Sequence, residues 1–139
     1  MKLHQATFKL ANMKRGIHVV TKQVTDIVAQ ADINTGICNV FLPHTSASLI
    51  FCENADPTVR RDLEAFMKRL VPDGDSLFQH TAEGPDDMPA HVRTVLTQNS
   101  LTIPINQGKL LLGTWQGIYL WEHRLHPYDR QIFITVIGI

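Results

Sequence analysis

Cysteine is scarce in this chain: Cys38 and Cys52 are the only two. That count cannot build a disulfide framework, and both sit in apolar, strand-like runs, so buried reduced thiols are expected. A surplus of charge is missing as well, because 13 Lys and Arg stand against 13 Asp and Glu. No basic surface for nucleic acid is therefore expected. Near-zero net charge also does little to keep copies apart, which favours oligomerisation. No apolar run reaches the roughly 18 residues of a membrane span. The opening MKLHQATFKL alternates polar and apolar residues and has no signal-peptide h-region. Repeats, linkers and low-complexity tracts are absent too. These absences point to a cytoplasmic enzyme or binding module, with neither a nucleic acid nor a membrane as partner.

What the chain does have is 139 residues, 44% of them hydrophobic and 19% charged. That suits a single globular domain over residues 1–139. Residues 4–11 alternate as a strand, and 16–20 read as a second. From Thr21, a candidate N-cap, the period changes: Val24, Ile27, Val28 and Ala31 mark one helix face. Residues 35–42 and 47–52 read as buried strands. Asp56-Pro57 starts a helix, with Val59, Leu63, Phe66, Met67 and Leu70 on one face and Pro72-Asp73-Gly74 ending it. Asp87 is placed to cap a short helix over 88–98, with Met88, Val92, Val95 and Leu96 inward. Strands follow at 100–105, 109–112, 117–122 and 131–138, the last alternating throughout as a two-faced antiparallel strand does. The fold class is α+β: mostly antiparallel, β-sandwich-like sheets with two or three helices.

Four dense polar blocks interrupt this pattern: His44-Thr45-Ser46-Ala47-Ser48, Glu53-Asn54-Ala55-Asp56-Pro57, His80–His91 and Gly113–Arg124. His80 lies in a loop and His91 in the first turn of the short helix. They converge on one metal if the loop folds back, which Gly84 and Pro85 favour; otherwise they are two surface histidines. Glu83, Asp86 and Asp87 put three carboxylates within five residues, and these repel unless a cation or bound protons intervene. A helix-start role accounts for one of them. His44 is the expected third metal ligand, and three protein ligands leave a position open for substrate. Thr45, Ser46 and Ser48 are candidate phosphate donors, or else a Ser/Thr-rich strand edge. Trp115 is suited to stack on a heteroaromatic ring and Gln116 to read its edge; an aromatic plug in a hairpin is the alternative. Arg124 suits bidentate phosphate recognition, with a cross-strand ion pair as its rival.

In this order the four blocks resemble the YjbQ family of small bacterial and archaeal proteins, also called secondary thiamine-phosphate synthases. The match is carried by His44-Thr45-Ser46-Ala47-Ser48, Glu53-Asn54 with Asp56-Pro57-Thr58-Val59, Glu83-Gly84 with Asp86-Asp87-Met88-Pro89 and His91, and Gly113-Thr114-Trp115-Gln116-Gly117-Ile118 with Glu122-His123-Arg124. The segment Leu125-His126-Pro127-Tyr128-Asp129 departs from the glycine-rich turn expected of relatives. The resemblance implies a single α+β domain, usually a trimer. It also implies an activity joining a pyrimidine pyrophosphate to a thiazole phosphate, giving thiamine phosphate and pyrophosphate. On that reading the chain is a metal-dependent transferase acting on a small phosphorylated metabolite, with zinc or magnesium as the divalent cofactor. Glu83, Asp87 and Glu122 would be catalytic. Asn54, Trp115, Gln116, Arg124 and the three hydroxyls would bind substrate, and His44, His80 and His91 would hold the metal. Two rivals use the same residues: metal-assisted hydrolysis of a phosphate ester, and a non-catalytic metal or metabolite sensor.

Overall fold

The computed structural model describes residues 1–139. In chain order the elements are β1 (Lys2–Met13), β2 (Gly16–Val19), α1 (Thr21–Gln30), β3 (Gly36–Phe41), β4 (Ala47–Glu53), α2 (Pro57–Leu70), α3 (Asp87–Leu96), β5 (Ser100–Asn106), β6 (Lys109–Leu110), β7 (Gln116–Glu122) and β8 (Tyr128–Gly138). The fold is α+β. A five-stranded sheet has the order β1-β8-β3-β5-β6, and a three-stranded sheet the order β2-β7-β4. All pairs are antiparallel.

The two sheets share one core. Alternation puts Cys38 and Val40 of β3, Leu101, Ile103 and Ile105 of β5, and Ile132, Ile134 and Val136 of β8 on the inner face of the larger sheet. Ala47 and Leu49 of β4 with Ile118 and Leu120 of β7 face them from the smaller one. Val24, Ile27 and Val28 of α1 complete this core, as their spacing predicts. Each fully buried aliphatic side chain there contributes on the order of 1.5–3 kcal/mol. Where β3 meets β8, Gly36 and Gly138 pack so closely that a Cβ on either would lie 2.1 Å from a backbone carbonyl. Both cysteines are buried and free.

The other face of the small sheet carries α2 and α3. Met67 and Val71 pack on Trp121, with Ile17, Ile50, Leu63 and Val92 around them. Phe66 and Leu70 of α2 are exposed, as are Val95 and Leu96 of α3. The buried stripe of α3 is Asp87, Pro89, Ala90, Arg93 and Thr94. The helix turns its hydrogen-bonding side inward because Arg93 reaches the Val71 carbonyl at 3.2 Å and Thr94 the Ala47 carbonyl at 3.5 Å. Thr21 is the first residue of α1 and does not cap it; its Oγ1 accepts from the Ile118 N–H and ties α1 to β7. Asp87 is likewise inside α3, and neither it nor Asp86 caps by its side chain.

Candidate metal centre

The loop between α2 and α3 does fold back. Gly74 and Gly84 both adopt positive φ, and the Gly74 N–H donates to the Pro85 carbonyl at 3.0 Å, closing the loop at its base. His80 is thereby carried to the first turn of α3. Its Nε2 lies 2.8 Å from Asp87 Oδ2, and His91 Nε2 lies 3.5 Å from the same oxygen. Asp87 and His91 are four residues apart and so share a helix face. The three ligand atoms lie within 4.8 Å of one another, and the two imidazoles meet edge to face with centroids 5.4 Å apart.

Asp87 is almost fully buried, whereas the His80 side chain is 51% exposed and that of His91 30%. Solvent therefore reaches the cluster past the imidazoles. Tetrahedral zinc with bonds near 2.0–2.2 Å sets ligand atoms roughly 3.3 Å apart. The His91–Asp87 separation already fits, and the His80–Asp87 contact needs to open by about half an ångström. Beside His80 is a cavity of about 350 Å³, whose lining includes Ser76, Phe78, Thr81 and Met88.

Arg124 supports this arrangement from behind. Its Nη1 is 2.9 Å from Asp87 Oδ1, its Nε donates to Asp86 Oδ2 at 2.9 Å, and its Nη2 donates to the Glu83 carbonyl at 2.9 Å. Asp86 Oδ2 also accepts from the Leu125 N–H. Burial alone would raise the Asp87 carboxyl. Hydrogen bonds shared with Glu83 and His80, with the charges of Arg124 and His91, outweigh it and hold the group below the usual carboxylate range. Asp86 behaves alike: burial raises it, and the Arg124 and Leu125 bonds more than offset that. The cation that neutralises the adjacent aspartates is thus a guanidinium. One oxygen of Asp87 faces Arg124 and the other faces the histidines.

Several expected site residues lie elsewhere or are already engaged. His44 does not join the His80–His91 cluster. Its Nε2 accepts from the Gln131 N–H at 3.0 Å, and burial and Arg130 lower its pKa; the third candidate ligand beside the two histidines is Asp87. Arg124 is 4% exposed with Nε, Nη1 and Nη2 all engaged, so it is not free to grip phosphate. Glu122 is fully buried and clasped by Arg130 through two contacts of 2.6 Å, so both of its oxygens are engaged. Ser46 Oγ accepts from Arg130 Nη2, and Ser48 Oγ is paired with His123 and Thr97. Of the three hydroxyl residues only Thr45 is exposed.

The remaining block is distant. Ala47 pairs with Glu122 and Glu53 with Gln116, so β4 and β7 run together for six residues beyond the first pair. At about 3.3 Å per residue, Asn54, Trp115 and Gln116 stand roughly 20 Å from the Glu122 end. Asn54 Nδ2 donates to the Thr114 carbonyl and Gln116 Oε1 accepts from the Gly113 N–H, so both brace the loop. Trp115 projects from it, 63% exposed. Within one chain the four blocks form two ends and not one site. The sequence points to Asp87 as a catalytic carboxylate and not as a candidate ligand, because its acidity has a ready explanation as helix-start chemistry; its four-residue spacing from His91 is the signal for the second role.

Residues 6–139 match the sequence profile of the family described as UPF0047 protein YjbQ-like. The chain belongs to the YjbQ-like UPF0047 family. It is 46% identical over 135 residues to a UPF0047 protein of Synechocystis, covering 97% of this chain and 92% of that one. It is 43% identical over 136 residues to the UPF0047 protein YjbQ of Escherichia coli O157:H7, covering 97% and 98%. A crystal structure of a YjbQ/UPF0047 family protein from Clostridium acetobutylicum superposes with a TM-score of 0.86 at 34% identity, over 95% of this chain and 99% of that one. A Sulfolobus solfataricus structure shares the fold with a TM-score of 0.90 at 24% identity, over 99% of each. These names state a family and no reaction.

Proposed function

We propose that the chain is a metal-dependent enzyme acting on small phosphorylated heterocycles, with thiamine-phosphate synthase as a side activity. The observation that carries this reading is the His80, Asp87 and His91 cluster, with three ligand atoms within 4.8 Å on a solvent-facing edge. Two imidazoles and one carboxylate favour zinc or a similar transition metal over magnesium, which prefers oxygen ligands. A metal held by these three residues would act as a Lewis acid toward pyrophosphate oxygens. Glu83, exposed and beside Asp87, is the carboxylate placed to exchange protons with substrate or water.

A homotrimer in the cytoplasm is part of the same reading. Support comes from the outer face of the five-stranded sheet. Leu3, Ile137 and Ile37 lie in one cross-strand row and Phe133 and Phe41 in another, all of them exposed. Burial against further copies is the ordinary fate of such rows. Substrate contacts by Trp115 then require a second copy, because its own metal cluster is at the far end of the sheet. Head-to-tail contacts closing into a ring bring opposite ends of neighbours together.

Hydrolysis of a phosphate ester is the second reading, favoured by an exposed glutamate next to a ligand set that leaves room for water. One assay separates the two. The purified zinc-loaded protein is given pyrimidine pyrophosphate with and without thiazole phosphate. The synthase reading expects thiamine phosphate and pyrophosphate only when both are present. Phosphate release without thiazole supports hydrolysis, and no turnover of either substrate overturns the synthase reading.

A further inference from the structure

Five buried side-chain polar atoms lack a hydrogen-bond partner, and four of them belong to neighbouring residues of the small sheet and its two helices. They are Glu64 Oε1 on α2, Arg93 Nε on α3, and Trp121 Nε1 and His123 Nδ1 on or just after β7. Arg93 and Glu64 pair at 3.4 Å, the Trp121 and His123 rings are 5.3 Å apart, and Trp121 lies beside Glu64. Arg93 and His123 are fully buried and Trp121 is 4% exposed. Orphaned groups at such depth are costly and call for a partner.

The hydrogen-bond chain around His123 fixes what that partner must be. Thr97 Oγ1 donates to the Arg93 carbonyl at 2.7 Å. Its remaining capacity toward Ser48 is as acceptor, so the Ser48 hydroxyl hydrogen goes to Thr97. Ser48 Oγ must then accept from His123 Nε2, 2.8 Å away. Burial, with Arg93, Arg15 and Arg130 nearby, keeps this imidazole neutral, its pKa lowered to about 3. A neutral ring that carries its hydrogen on Nε2 has a bare lone pair on Nδ1. The four orphans are therefore two donors, Arg93 Nε–H and Trp121 Nε1–H, and two acceptors, Glu64 Oε1 and His123 Nδ1.

We propose that one ordered water occupies this position, accepting from Arg93 and Trp121 and donating to Glu64 and His123. Two acceptances and two donations are the full capacity of a water molecule. An ion fits less well. Arg93 is offset by Glu64, and Arg15 by Asp73 at 2.6 Å, so the pocket already sums to zero formal charge. Buried waters occur about once per 27 residues, which leaves room for roughly five in a chain of this length.

The test uses the unmodified full-length protein. A crystal structure at a resolution that shows ordered solvent is expected to place one water within hydrogen-bond distance of at least three of the four atoms. Nitrogen-15 NMR at neutral pH is expected to find the His123 proton on Nε2. Empty density there, a water touching fewer than three atoms, an anomalous or heavier peak marking an ion, or a proton on Nδ1 would each overturn the proposal.

Discussion

Two carboxylate–arginine centres lie near one end of the small sheet, and they differ in what they leave unfilled. Glu122 and Arg130 form the closed one. Both carboxylate oxygens meet Arg130, the backbone N–H groups of His123 and Arg124 donate to Oε2, and Ser46 takes a further guanidinium donor. Asp87 and Arg124 form the open one, because Asp87 Oδ2 is turned away from the arginine toward two half-exposed imidazoles. Residue type does not separate the closed centre from the open one here. The orientation of a single oxygen does. The sealed pair holds β7, β8 and the His44 loop together, while the open pair leaves one carboxylate oxygen facing two imidazoles.

The largest effect is expected at the closed centre. Arg130→Met leaves Glu122 buried and unpaired, which costs about 3–5 kcal/mol. Equilibrium urea unfolding should show a lower midpoint, and a change below 1 kcal/mol would mean that the pair is not sealed.

Arg124→Lys comes next. The variant keeps the charge and loses the planar fork that spans Asp86 and Asp87. A stability loss of roughly 1.5–3 kcal/mol is expected in thermal melts, together with weaker metal binding because Asp87 is no longer held. Unchanged melting with lost pyrophosphate affinity would restore the arginine to substrate binding.

A third effect is a slope. His123 has its pKa lowered from the ordinary 6.5 to about 3. The unfolded chain therefore takes up the proton first, and stability is full above pH 6.5 and falls as pH drops toward 3. Between those limits the loss is about 1.4 kcal/mol per pH unit. Asp86 and Asp87, both depressed, add a further loss beginning near the unfolded carboxylate value of about 3.9. Denaturant midpoints at pH 6.5, 5.5 and 4.5 should show the histidine slope, and His123→Asn should flatten it.

How far the sequence foretells this arrangement depends on the range of the interaction. Period alone locates Val24, Ile27 and Val28 in the core, the alternation of β8, and the Asp56-Pro57 start of α2, since each is decided within a few residues. It fails for Val95 and Leu96, because α3 rests on a polar stripe whose partners, Val71 and Ala47, are far away in sequence. The same holds for the site. His80 and His91 announce themselves by residue type. The reassignment of Arg124 from phosphate to Asp86 rests on a contact spanning 38 positions, and that of Glu122 rests on Arg130, outside the polar blocks.

The smallest structural effect is expected at the open centre. His91→Ala removes a part-exposed ring and should shift stability within about 0.5 kcal/mol. If zinc occupies this cluster, zinc at a hundred times its dissociation constant is expected to stabilise the wild-type protein by about 2.7 kcal/mol. That increment should fall to about 1.4 kcal/mol or less in the variant at the same zinc concentration.

Zinc titration by calorimetry into the wild-type protein and into His80→Ala, Asp87→Asn and His91→Ala decides whether these residues hold a metal. One zinc per chain in the wild type, with affinity at least tenfold lower in every variant, is the expected result. Unaltered stoichiometry and affinity in both histidine variants, or no binding to the wild type, would contradict the assignment.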